Sequence, residues 1–290
     1  MLTAFRIFVD LVDAGSFSRA AEKNYLTPSA VSQRIKQLEE TLGHPLVERA
    51  RSGATPTEAG GILYRACRDI LARYADLERE LDGFREEIGG RLRLGAVTSI
   101  GLHGLAPTLK TYLERHPAVD VALEYMTSQD VYRGILEREL DLGIVAFPHQ
   151  NPAIVITPFR RDELVAIVAP GHRLARATAI DPRRLAGEPF VAFERQIPTG
   201  RVILRLLQRR RVRVRIVHRF DNVETVKRAV EIGAGVAIVP AETVDLEVEA
   251  GALRRMSLRG RDWWRPIAVL HRKDRTPGLA ARAFMDVLKG

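Results

Sequence analysis

Apolar positions recur at helical spacing through the first sixty residues. Leu2, Phe5, Phe8, Val9 and Val12 share one stripe, which predicts a helix over 2–12. Gly15-Ser16 breaks it, and Ser16 or Ser18 can cap a short second helix through Ala20, Ala21 and Glu22. The Ala20-Ala21 pair has little bulk, which suits close helix packing. Asn24-Tyr25-Leu26 reads as a turn. Thr27-Pro28-Ser29 opens a third helix: Thr27 can accept orphan amide bonds, and Pro28 fits the first helical position, where its missing N–H costs nothing. That helix runs Ala30 to Leu42, stops at Gly43 and buries Val31, Ile35, Leu38 and Leu42. Ser29, Ser32, Gln33, Arg34 and Lys36 lie largely off the buried stripe.

A different pattern follows. Leu63, Cys67, Ile70, Tyr74, Leu77, Leu81, Phe84 and Ile88 alternate by four and three with no Pro between Thr57 and Pro107. This heptad alternation predicts a helix of about 30 residues, roughly 45 Å long, paired with another helix. The simplest partner is the same helix of a second subunit. The alternative is packing against the chain's own C-terminal part. On the seam Cys67 reads as a packed small residue rather than a nucleophile. Gly89-Gly90 ends the helix as a hinge candidate.

From Arg91 strands alternate with helices. Strands are expected at 92–97, 119–125, 142–147, 163–168, 190–193, 212–220, 236–239 and 267–270, with helices at 105–115, 129–139, 200–210, 223–232 and 277–288. The two rounds predict parallel α/β sheets in two similar subdomains with a cleft between them. Ligands of such sheets bind at the carboxyl ends of strands, where helices begin. Thr98, Ser99, Thr127, Ser128, Pro198, Thr199, Gly200 and Asn222 occupy those points. Hydroxyls and free amides there favour an anion; plain N-capping is the alternative for each. Arg195 and Arg201 bracket the Pro198-Thr199 turn and could meet a carboxylate or phosphate, or be solvated.

Composition narrows the classes. The 290 residues hold 46% hydrophobic residues, one Cys and a net charge of +9. That length fits about two domains. A lone Cys67 excludes an intrachain disulfide framework and a Cys-pair zinc site. No apolar run approaches a membrane span, and the start lacks a secretory pattern, so a cytoplasmic protein with no membrane partner is expected. The motifs Gly-x-Ser-x-Gly, Walker loop and His-Glu-x-x-His are missing, and the seven His are scattered, so neither an enzyme nor a metal or cofactor site is expected. The charge is uneven. Residues 1–90 hold 12 Lys and Arg against 14 Asp and Glu, a balance of −2, while residues 91–290 carry +11. Nine Arg and no acid lie between Arg195 and Arg219. Arg213, Arg215 and Arg219 alternate with apolar residues and are expected on one face of a strand. A solvated face, an anionic effector, an acidic subunit contact and bent DNA all remain open for this segment.

Two short helices with a tight turn, the second polar and basic at its start, form a helix-turn-helix. Such a helix can enter the major groove; a solvated face of a three-helix bundle is the alternative. Here the sequence resembles the LysR-type transcriptional regulators. The match runs through Phe17-Ser18-Arg19-Ala20-Ala21 and Leu26-Thr27-Pro28-Ser29-Ala30-Val31-Ser32-Gln33-Arg34-Ile35-Lys36-Gln37-Leu38-Glu39. It continues in Leu42-Gly43, Pro45-Leu46-Val47-Glu48-Arg49 and Thr55-Pro56-Thr57-Glu58-Ala59-Gly60. Family members often have Gln where this chain has Thr27. The length and layout of the remainder also fit.

The resemblance implies a winged helix-turn-helix over 1–58, a dimerising linker helix over 59–90 and an effector domain over 91–290. That domain would resemble periplasmic binding proteins, with subdomains at about 91–161 with 266–290 and at 162–265. It implies DNA contacts from Thr27, Pro28, Ser29, Ser32, Gln33, Arg34 and Lys36, with Arg49 and Arg51 on a wing at 46–55. It implies a small effector at the cleft residues named above, further pairing into a homotetramer, and RNA polymerase as a partner.

Overall fold

A computed structural model of the chain describes residues 1–50, 53–82 and 88–289. It forms two compact units, Met1–Phe84 and Arg85–Gly290.

The first unit packs α1 (Leu2–Ala14), α2 (Phe17–Lys23) and α3 (Pro28–Leu42). The hairpin of β1 (Val47–Ala50) and β2 (Gly53–Pro56) follows, then α4 (Glu58–Asp82). Gly15 ends α1 in the left-handed region at φ 61°. Ser16 stands at the α2 N-cap but makes no side-chain cap bond. Thr27 caps α3 by accepting the Ala30 N–H at 3.2 Å, and Gly43 closes it at φ 70°. The core holds Ile7, Phe8, Leu11, Ala20, Ala21, Val31, Ile35, Leu38, Leu46, Ala54 and Cys67. Two expectations shift. The deepest face of α1 is Ile7, Phe8 and Leu11, with Phe5, Val9 and Val12 at its margin. Leu42 is 41% exposed because the last turn of α3 runs past the core. Asp10 is buried on α1, yet Lys23 Nζ at 2.6 Å and Asn24 Nδ2 at 2.9 Å answer its charge.

The heptad seam is shorter than its pattern. Leu63, Tyr64 and Cys67 pack into the core of the first unit, so those positions are not free for another helix. Ile70, Tyr74, Leu77 and Leu81 lie exposed further along α4. The described helix has 25 residues, about 38 Å. Phe84 lies outside the described residues, and Ile88 packs against a core of the second unit instead of the seam.

The second unit opens with β3 (Gly90–Val97), α5 (Thr98–His103), α6 (Ala106–Arg115), β4 (Val119–Met126), α7 (Ser128–Leu136) and β5 (Leu142–Ala146). Then come β6 (Ile154–Val168), β7 (Ala179–Ile180), β8 (Pro189–Phe193), α8 (Pro198–Arg209), β9 (Arg215–Phe220) and α9 (Val223–Glu231). It closes with β10 (Ala237–Pro240), α10 (Asp245–Glu249), β11 (Arg254–Leu258), β12 (Trp264–Arg272) and α11 (Leu279–Lys289).

The sheets are mixed rather than all parallel. β3 pairs in parallel with β4 and β5, and β8 with β9. β12 runs antiparallel to β5 and β6, while β10 and β11 run antiparallel to β6. The 15-residue β6 explains this: its first part pairs with β12 and its last part with β10 and β11, so one strand serves two sheets. The register slips at Ile267/Ala268, leaving Phe159 unpaired as a bulge that bends β6 between its two roles. Cores form on either side. One gathers Leu92, Leu94, Ile144, Ile267 and Phe284; the other gathers Leu164, Ile167, Phe190, Val226, Ile238 and Trp263.

β9 starts at Arg215, so Arg213 precedes it. Val217 is an extra residue in its register with β8, which interrupts the alternation. Arg215 is exposed, whereas Arg219 is half-buried and donates to the Phe193 carbonyl at 3.2 Å. The expected common arginine face is therefore broken.

Candidate functional site

The first unit presents the start of α3. Thr27, Pro28, Ser29, Gln33, Arg34 and Lys36 are exposed and Ser32 is half-buried. At 3.6 residues per turn Ser29, Ser32, Gln33 and Lys36 share one face, while Arg34 stands about 140° around from Ser29. The helix therefore groups four of these side chains and sets Arg34 to the flank. The Thr27 hydroxyl is engaged in capping and lies 2.9 Å from Ser29 Oγ. Lys36 Nζ is 3.7 Å from Glu40 Oε1 in solvent, a weak pairing that leaves the ammonium available.

Beside α3, Glu39 Oε1 accepts the N–H groups of Leu46 at 2.8 Å and Val47 at 3.3 Å, fastening the hairpin. Its other strand is held by Ala54 N–H donating to the Gly15 carbonyl at 2.9 Å. Gly53 permits that approach, since a Cβ there would stand 2.4 Å from Gly15 O. Arg49 sits on β1 opposite Ala54, and its side chain, with Arg51, lies outside the described residues.

The second unit holds a cavity of about 740 Å³ between its two lobes. Four helices, α5, α7, α8 and α9, begin at its wall. Thr98, Ser99, Thr127, Ser128, Pro198, Thr199 and Asn222 all line it. Gly200 does not; it is buried against β8, where a Cβ would meet Phe193 Cβ at 2.6 Å. Its role is to let α8 start close to the strand end.

The polar groups divide by commitment. Thr127 caps α7, accepting from Asp130 N–H at 3.2 Å and donating to Asp130 Oδ2 at 2.7 Å. Asn222 caps α9 through Thr225 N–H at 2.9 Å. For these two the capping alternative holds. Ser99 Oγ accepts from Arg265 Nη1 at 2.9 Å. Thr199 is only 6% exposed, and its hydroxyl has no hydrogen-bond partner among the described residues. No side chain caps α8, so the Thr199 amide stays free at its N-terminus.

Sequence reasoning missed Arg265 in the cavity lining and the charged network behind it. Arg265 on β12 is directly opposite Asp162 on β6, and both are buried. Arg265 Nη2 donates to Asp162 Oδ2 at 2.5 Å and Nε at 3.1 Å. Arg160 joins with Nε 3.2 Å from Asp162 Oδ1 and Nη2 2.5 Å from Glu242 Oε1. Burial pulls the Arg265 pKa down against the pull of Asp162, and burial with the neighbouring Asp162 charge pushes Glu242 up. The pairing partner of Arg265 is more than a hundred residues away in sequence, so no local spacing signals it.

The wall also carries Asp130, Glu194, Asp221 and Glu224. Arg133 pairs with Asp130 at 2.7 Å, and Lys227 with Glu224 at 2.9 Å. Arg195 and Arg201 are exposed and do not line the cavity. With Arg205, Arg209, Arg211, Arg213 and Arg215 they make no ion pair among the described residues, which fits a solvated basic face. Arg210 differs, pairing with Asp262 at 2.9 Å and stacking 5.0 Å over the Trp263 ring.

Comparison with known proteins agrees with both surfaces. Residues 2–61 match the model described as bacterial regulatory helix-turn-helix protein, lysR family. Residues 85–290 match the LysR substrate binding domain. The "Probable RuBisCO transcriptional regulator" of Cyanophora paradoxa is 29% identical, covering 98% of this chain and 90% of its own length. The RuBisCO operon transcriptional regulator of Allochromatium vinosum is 28% identical, over 98% of this chain and 94% of its own. Full-length CbnR, solved with its target DNA, shares the fold at a TM-score of 0.71 and 21% identity, covering 100% of this chain and 99% of that one.

Proposed function

Because the chain belongs to the LysR family of transcriptional regulators, with a DNA-binding head and an effector-binding domain, we propose which residues carry each task. The head of 1–58 reads duplex DNA through Ser29, Ser32, Gln33 and Lys36 on one face of α3. Arg34 reaches phosphate from the flank, and Thr27 and Pro28 set the helix start against the backbone. Arg49 and Arg51 serve the wing. Phosphate contacts position the head, and base-edge contacts specify the site.

The exposed row Ile70, Tyr74, Leu77 and Leu81 pairs α4 with the same helix of a second subunit, joining two heads for two half-sites. Residues 59–90 are the linker, and 91–290 the effector domain. Thr98, Ser99, Ser128 and Thr199 are its ligand contacts. Pairing of dimers into a tetramer, action in the cytoplasm and contact with RNA polymerase complete the reading.

The observation that carries it is the convergence of four helix starts on one cavity of about 740 Å³ between lobes joined by β6 and β12. A ligand held there binds one closure state better than another and shifts the population toward it. The test measures binding to duplex DNA from upstream of the gene, with and without effector. Ser32→Ala with Gln33→Ala should abolish preference for the site while random DNA binds as before. Equal loss on both would reduce these residues to affinity alone. Thr98→Ala should blunt the effector response and leave DNA binding in place.

A further inference from the structure

The cavity combines two features of opposite electrostatic demand. Glu194 N–H donates to the Phe220 carbonyl at 2.9 Å, so Glu194 and Asp221 leave the carboxyl ends of neighbouring parallel strands side by side. Both line the cavity. Glu194 takes a hydrogen bond from Gln196, and Asp221 takes one from Asn222 Nδ2 at 2.7 Å, but neither has a cation within ion-pair distance among the described residues. This holds although nine Arg follow within 25 residues. Adjacent strands are about 4.8 Å apart, so two like charges at their ends repel and attract a cation. No group of three metal-ligating side chains occurs among the described residues, so an organic ammonium fits this pair better than a metal ion.

A few residues along the chain, the start of α8 asks for an anion. The Thr199 amide is uncapped. Thr199 is more than nine-tenths buried, its hydroxyl is unpartnered among the described residues, and it lines the cavity. The only guanidinium of the described lining, Arg265, is already held by Asp162 and Ser99. A multiply charged anion would therefore meet surplus carboxylates, and a simple cation would leave the α8 donors unmet.

We propose that the cleft selects a small zwitterion of the α-amino-acid type, its ammonium against Glu194 and Asp221 and its carboxylate on the hydroxyl and amide of Thr199. This rests on the cleft being the effector site. It replaces the broader expectation of an anion with a ligand carrying both charges.

The test follows thermal unfolding of the full-length protein with each of the common L-α-amino acids. Every one that raises Tm is compared with its carboxylic acid lacking the amino group and its amine lacking the carboxylate. Sodium sulfate serves as the anion probe. At about a hundred times Kd, one amino acid should raise Tm by about 5 °C or more, and neither analogue should. Glu194→Gln with Asp221→Asn should remove that rise, as should Thr199→Ala, each measured against the ligand-free Tm of the same variant. No rise with any amino acid overturns the proposal. So does a rise with sulfate or the carboxylic acids that Glu194→Gln with Asp221→Asn does not diminish; if Thr199→Ala removes that rise, the cleft remains the effector site. A rise that survives both sets of substitutions places binding outside the cleft and overturns both readings.

Discussion

His103 Nε2 lies 2.8 Å from Glu224 Oε1, joining the end of α5 in one lobe to the first turn of α9 in the other. Glu224 is also held by Lys227 Nζ at 2.9 Å. Lys227 is buried and spends its other donors on Glu247 at 2.8 Å and the Thr243 carbonyl at 2.8 Å. The Lys227 end of this chain is fixed within one lobe. The His103 end joins the two lobes, so it depends on their spacing.

Burial would raise the Glu224 pKa, but the bonds from Lys227 and His103 outweigh it and hold the carboxyl below its usual range. A depressed acid adds stability above its unfolded pKa and loses it as pH falls through the folded value. Glu224→Gln should therefore lower Tm at neutral pH and flatten the fall of Tm between about pH 5 and pH 3. Because the side chain is 44% exposed, the neutral-pH loss should stay under about 1 kcal/mol. Parallel curves for the two proteins would show that the contact contributes nothing.

The Arg265–Asp162 pair should behave differently, because both side chains are buried. Removing one partner leaves an uncompensated charge, which costs about 3–5 kcal/mol. Asp162→Asn and Arg265→Met are each expected to lower urea-unfolding stability by that order. The double variant should lose much less than their sum. Additive losses would mean that Arg160 and Glu242, not the direct pair, satisfy these charges.

Where local chemistry decided the structure, the sequence was readable. The Thr27 cap, the Pro28 start and the Gly43 stop of α3 depend on neighbours within a turn or two. The helix starts around the cavity were legible because they follow strand ends, and seven of the eight residues marked there line it. Gly200 was misread because small size at a strand end serves packing as well as binding. Long-range pairing was not legible. Periodicity identifies strands, but it could not tell that β6 would pass between two sheets, or that its Asp162 would face Arg265. The heptad pattern was real yet overextended, since Leu63 and Cys67 satisfy the same spacing by packing within their own unit.

That shorter seam leads to a separable effect. Leu77 is 46% exposed in the single chain and lies beyond the residues that α4 packs into the head. Leu77→Glu should weaken self-association, read by sedimentation, without unfolding the head, read by helix content. Leu63→Glu should unfold the head, because it places a charge against that core. If Leu77→Glu leaves the association state unchanged at micromolar protein, α4 does not dimerise the chain.

Cys67 lies at 0% exposure in the head core, and burial pushes its thiol up to about 11. The thiolate is the reactive form, and at pH 8 a thiol with that pKa is about 0.1% ionised. In the native protein Cys67 should resist a disulfide reagent such as DTNB and should react fully in denaturant. If buried packing is its role, Cys67→Ala should cost about 1 kcal/mol and Cys67→Ser more, because a hydroxyl there needs a hydrogen bond that an apolar core does not offer. The order of Tm should be native, then Ala, then Ser, with effector response unchanged in all three. Rapid modification of the native protein, with DNA binding altered as the thiol reacts, would instead make Cys67 a redox-responsive group and overturn the packing role.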